Sequence, residues 1–109
     1  MINQIRRITA TAFISMEIDG EAITGVSCGD GPIAAAFSAV DSIVGRKYEL
    51  DDFQIQSVTE GSTAIGNALV KLRSGGRLYC GNGISTDIIG ASIKAYVSAI
   101  NKIAYEEKA

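Results

Sequence analysis

Apolar and polar residues alternate from Ile14 through Ser15, Met16 and Glu17 to Ile18, within a β-type run that reaches back towards Ile8. A period of two places one set of side chains on a core face and the other in solvent, the signature of a half-buried strand. Asp19-Gly20 supplies the left-handed backbone of a tight hairpin turn, and Ala22 to Cys28 supplies the return strand. The period then changes. Pro32 suits the first turn of a helix, where no backbone N–H is needed. Ile33, Ala36, Phe37, Val40, Ile43 and Val44 follow at three- and four-residue spacing, and Gly45 fits the position just past a helix end.

Alternation returns cleanly from Phe53 to Thr59, and Gly61-Ser62 turns the chain. Ala64 to Leu72 reads as the next strand, Ser74-Gly75-Gly76 as a second hairpin turn, and Arg77 to Cys80 as its return. The last helix carries Ile84, Ile88, Ile89, Ser92, Tyr96, Ala99, Ile100 and Ile103 on one broad face. Ser85 or Thr86 can cap it, with Asp87 in its first turn at the positive end of the helix dipole. Tyr105 to Ala109 frays into solvent. The expected order is β-β-α-β-β-β-α, with antiparallel hairpins and helices on one face, an α+β class.

One tetrapeptide recurs. Cys28-Gly29-Asp30-Gly31 returns 52 residues later as Cys80-Gly81-Asn82-Gly83, each copy after a strand and before an Ala-rich helical stretch. Two copies are too few for a solenoid. They suggest a single domain over residues 1–109 built from duplicated half-units, about 8–46 and 50–105, with a ligand site expected where the halves face each other.

Composition narrows the chemistry. With 47% hydrophobic and 20% charged residues the chain is ordinary globular protein. A net charge of −2 leaves no electrostatic footprint for nucleic acid, and Arg6-Arg7 reads as a solvated end. No apolar run has the length of a membrane span, and Met1 to Gln4 lacks a signal-peptide core, so a cytoplasmic location is expected. There is no histidine, which removes Ser-His-Asp and Cys-His catalysis and nearly all catalytic zinc sites. No metal ligand set and no catalytic residue is expected. Cys28 and Cys80 read as small buried hydrophobes rather than a disulfide.

A Gly-x-Gly turn between strand and helix admits a ligand close to the backbone, and a helix start offers free N–H donors for a carboxylate or phosphate. Three readings fit it: a sharp turn and nothing more, a dinucleotide fingerprint, or a cradle for a small zwitterion. Gly29 to Ala34 fits G-x-G-x-x-A, but the preceding strands form a hairpin and no parallel βαβ unit follows, so no dinucleotide cofactor is expected. In the third reading the side chain of Asp30 or Asn82 holds an ammonium group, the charge of Asp30 favouring the first copy, while the same acid equally suits a helix cap.

Three segments in order then resemble one family: Gly29 to Phe37, Gly61 to Gly66, and Gly81 to Tyr96, above all Gly81-Asn82-Gly83-Ile84-Ser85-Thr86-Asp87-Ile88-Ile89 before Ala91-Ser92 and Ala95-Tyr96. The pattern is similar to the C-terminal regulatory domain of 2-isopropylmalate and citramalate synthases, the allosteric dimerisation domain. The resemblance implies two pseudo-symmetric βββα units, a homodimer, and feedback by an end-product amino acid on a separate TIM-barrel catalytic domain, with no catalysis by this chain itself. It implies leucine or isoleucine as effector, leucine being favoured. The alternatives are an isoleucine-responsive citramalate synthase domain and a purely structural dimerisation module. Carried over by position, the effector residues are Asp30, Gly31, Ile33, Ala34, Leu50, Phe53, Ser57, Ala64 and Ile84. Thr63 and Gly90 depart from the pattern, each standing where an acid is common.

Overall fold

The computed structural model describes residues 9–108. The expectations for Met1 to Gln4, Arg6-Arg7 and the onset at Ile8 lie outside them. The elements follow the expected order: β1 (Ala10–Ile18), β2 (Glu21–Gly29), α1 (Pro32–Val44), β3 (Glu49–Glu60), β4 (Thr63–Ser74), β5 (Arg77–Ser85) and α2 (Ile88–Lys108). The chain forms two compact units, one ending at Lys47 and the other starting at Tyr48. Both are antiparallel sheets carrying one helix, so the class is α+β.

In the first unit β1 and β2 pair from Ala10↔Gly29 to Ile18↔Glu21 around the Asp19-Gly20 turn. Both turn residues have positive φ, 51° and 81°, as a tight hairpin of this hand requires. Burial alternates along all of β1, with Ala12, Ile14 and Met16 half-buried and Thr11, Phe13 and Ser15 exposed. The alternation therefore starts earlier than Ile14. α1 covers the inner face with Ala35, Ala36, Phe37, Ala39 and Val40, all buried. It ends on Gly45 at φ 79°, whose N–H bonds back to the Asp41 carbonyl.

The second unit has the strand order β3-β4-β5. Ala68, Val70 and Leu72 of β4 are fully buried beneath Ala91, Ala95, Tyr96, Ala99 and Ile103 of α2. Ser92 is buried with them, its hydroxyl donating to the Ile88 carbonyl at 2.8 Å. A bulge between Leu50 and Asp52 interrupts β3, and the extra residue, Asp51, pairs with Arg73 at 3.1 Å. β5 is longer than expected. It runs on to Ser85, so Ile84 belongs to the strand and not to the helix.

That extension changes the meaning of the repeated tetrapeptide. Gly81, Asn82 and Gly83 lie inside β5, whereas Gly29 ends β2 and Gly31 caps α1. The two copies do not occupy corresponding places. Structural correspondence has a spacing of 56 residues: the hairpin turns end on Gly20 and Gly76, and the first helix bonds run from Ala35 to Gly31 and from Ala91 to Asp87. Gly25 faces the Ala39 carbonyl of α1 just as Gly81 faces the Ala95 carbonyl of α2. Asp30 therefore corresponds to Thr86, and Asn82 corresponds to Val26. The expected Asp/Asn inequality between half-sites disappears.

Candidate functional site

The start of α1 is held open by its own sequence. Gly31 is the N-cap in extended backbone, has no side chain to accept a bond, and leaves the helix without a side-chain cap. Pro32 contributes no N–H, so the donors at Ile33 and Ala34 begin the helix without an intrahelical acceptor. Asp30 is exposed immediately before them, Gly31 and Ile33 are half-buried, and Ala34 is exposed. Uncapped N–H groups with the positive end of a helix dipole suit a carboxylate. An adjacent carboxylate side chain suits an ammonium. These four residues stand together.

The start of α2 differs at the corresponding place. Asp87 Oδ1 accepts from the Ile89 N–H at 3.2 Å, and Ser85 Oγ accepts from the Asp87 N–H at 3.2 Å. The cap is thus Asp87 itself, not Ser85 or Thr86, and this helix start is occupied by its own side chain. Gly90 lies beside that cap, where a Cβ would meet Ser85 Oγ at 3.3 Å.

The remaining five expected residues belong to the second unit. Phe53 pairs with Val70, Ser57 with Gly66 and Ala64 with Thr59, which places all three on the side of the sheet that faces α2. Phe53 is half-buried, while Ser57 and Ala64 are exposed near the Gly61 turn. Leu50 sits at the bulge, 45% exposed. Ile84 pairs with Asn67 on the opposite face, 60% exposed. Phe53 and Ile84 are therefore not brought together within one sheet.

That opposite face holds a feature the sequence did not signal. Gln54, Gln56, Asn67, Leu69 and Asn82 of that face, together with Ile55 from between the two glutamines, line a concavity of about 510 Å³. Asn67 Oδ1 is buried there with no hydrogen-bond partner. Alternation marked Gln54 and Gln56 as the polar face of one strand, but only the pairing register brings three strands' amides together.

Cys28 and Cys80 are free and exposed, which corrects their reading as buried hydrophobes. Both lie on the faces turned away from the helices, paired with Thr11 and Lys71. At the other end of β5, Arg77 pairs with Glu106 of α2, and Glu106 also accepts from the Tyr79 hydroxyl. That hydrogen bond, joined by the nearby negative charge, raises the Tyr79 pKa above its ordinary value. Among the described residues no helix is long and apolar enough to cross a membrane.

The fold defines a small α+β module of two units, each an antiparallel sheet carrying one helix. The chain belongs to the LeuA allosteric (dimerisation) domain family, whose model matches residues 1–104. It is similar to the 2-isopropylmalate synthase of Ruminiclostridium cellulolyticum, 44% identical over 101 residues, which is 93% of this chain and 20% of that protein. The 2-isopropylmalate synthases of Heliobacterium modesticaldum and Olsenella uli are 40% and 44% identical, covering 91% and 87% of this chain and 19% of each relative. The chain thus spans about one fifth of the length of the relatives it matches.

Proposed function

We propose that this chain is a single regulatory domain that dimerises and binds a branched-chain amino acid, leucine before isoleucine. It gives feedback control to a 2-isopropylmalate synthase-type acyltransferase of the cytoplasm. The TIM-barrel catalytic domain of that enzyme is its partner, and the chain performs no catalysis of its own. The observation that carries the reading is the uncapped start of α1 beside Asp30, in a chain matched by an allosteric-domain family. There the N–H groups of Ile33 and Ala34 receive the effector carboxylate and Asp30 its ammonium. Leu50, Phe53, Ser57, Ala64 and Ile84 are the remaining proposed contacts. The names of the relatives favour leucine over isoleucine.

The test is a thermal-shift series with leucine, isoleucine and valine on the wild type and on Asp30→Ala. A ligand at 100 times its Kd stabilises by about 2.7 kcal/mol. For a chain of this size that raises Tm by roughly 10 °C or more. Leucine is expected to give the largest shift and Asp30→Ala to abolish it. If no amino acid at millimolar concentration moves Tm, the effector reading fails. A second reading, a structural dimerisation module without effector, is favoured by the placement of Phe53 and Ile84 on opposite faces. It predicts a constitutive dimer indifferent to all three amino acids.

A further inference from the structure

The outer face of the β3-β4-β5 sheet, turned away from α2, is arranged in cross-strand rows. Gln56, Asn67 and Ile84 form one row, and Gln54, Leu69 and Asn82 form the next. These central rows contain no charge. Charged side chains gather towards one end, with Asp52 opposite Lys71 and then Arg73 bound to Asp51. Val58, at 50% exposure, and Ile84, at 60%, lie at the end of the amide rows away from the charges, while Leu78, at 47%, lies at the charged end opposite Arg73. An uncharged centre, large exposed apolar groups and charge pushed outwards are the composition of an interface rather than of a solvated sheet face.

We infer that this face is where a second copy of the same chain docks, sheet against sheet about a two-fold axis. The inference rests on the homodimeric reading above and adds the surface. Three features favour a second copy over another occupant. A carboxamide carries donors and an acceptor together, so Asn and Gln side chains are complementary to their own kind, as an isologous interface demands. Asn67 Oδ1 lacks a donor within the single chain, and a turn of its side chain into the concavity lets a facing amide supply one. The area is also sufficient. Three strands about 4.8 Å apart, nine to twelve residues long at about 3.4 Å each, present roughly 500 Å² per copy, or about the 1,000 Å² total that a specific interface needs. Nothing in the concavity is charged, so it offers no anchor for an ionic ligand.

The test measures self-association of the 109-residue chain by sedimentation equilibrium, for wild type, Asn82→Arg, Val58→Arg and Tyr105→Arg. Asn82 and Val58 are exposed, so the added cation disturbs the face and not the core. Tyr105, 80% exposed near the end of α2, is the control. Circular dichroism confirms that each variant is folded. The expected result is a dimer whose Kd rises at least tenfold in Asn82→Arg and Val58→Arg and stays unchanged in Tyr105→Arg. In the wild type, Cys80 on this face is expected to react with a thiol reagent more slowly at dimeric concentrations than on dilution. A dimer with unchanged Kd in Asn82→Arg and Val58→Arg overturns the surface but leaves the homodimeric reading standing. So does a dimer lost only on Phe13→Arg, which alters the exposed Phe13–Val26 pair of the other sheet. A wild type that stays monomeric at millimolar concentration overturns both.

Discussion

Replacing Gly81 by Ala is predicted to be among the most damaging single-methyl additions in this protein. A Cβ built there would fall inside the van der Waals envelope of the Ala95 carbonyl oxygen, 2.5 Å from the Ala99 nitrogen and 2.9 Å from the Ala99 Cβ. Two of these three neighbours are helix backbone, so no rotamer change relieves the contact. Restoring about 3.5 Å requires α2 to lift by about 1–1.5 Å, and a gap of about 1 Å already forfeits about half of each packing well. The helix then loosens over Ala91, Ala95, Tyr96, Ala99 and Ile103, which cover Val70 and Leu72. Overpacking of a well-packed core costs about 1–3 kcal/mol, more where backbone must move, and this site belongs at or above the top of that range. At about 4–8 °C per kcal/mol the Tm falls by roughly 12–25 °C. Urea denaturation followed by circular dichroism gives the number, with Gly66→Ala as comparison. At Gly66 the nearest atom is Ile88 Cγ1 at 3.3 Å, on a side chain that can yield, so a loss below about 1 kcal/mol is expected. Equal losses in the two variants would refute the close-approach argument.

Further outcomes follow from the same geometry. Asp87→Ala removes the α2 cap and should lower stability by about 1 kcal/mol in thermal denaturation, whereas Asp30→Ala, which caps nothing, should leave the free protein within about 0.5 kcal/mol of wild type. Leu72→Ala empties a fully buried position and should cost about 2–5 kcal/mol in urea denaturation. Tyr79 should titrate above 10.0 by tyrosinate absorbance, and Glu106→Gln should bring it down. Because the folded pKa is raised, this contribution is complete below the unfolded pKa and is lost as pH rises through the folded one.

The element order was legible because each strand and helix carries its own period. The alternation of Phe53–Thr59 and the three- and four-residue spacing of α1 need no partner to be read. The register of the duplication was not legible in the same way. Cys28-Gly29-Asp30-Gly31 and Cys80-Gly81-Asn82-Gly83 match in letters, but their glycines answer different demands. Gly31 caps a helix start, while Gly81 and Gly83 let a helix backbone lie against a strand. One residue type satisfies both, so identity of letters misplaced the correspondence by four residues. The hairpin tips Asp19-Gly20 and Gly75-Gly76 carried the better signal, since a turn fixes the register of both strands it joins. Of the candidate site, the uncapped α1 start could be read from Gly31-Pro32 alone. The division of Phe53 and Ile84 between two faces depends on the pairing of β3 through β4 to β5, which no local pattern encodes.

The most direct test of the account is equilibrium titration of leucine into the 109-residue chain by calorimetry, with valine and Asp30→Ala alongside. The account predicts saturable binding of leucine, weaker binding of valine, and loss of the heat in Asp30→Ala while the variant remains folded. No saturable heat for leucine at millimolar concentration, or equal affinity in Asp30→Ala, would contradict it.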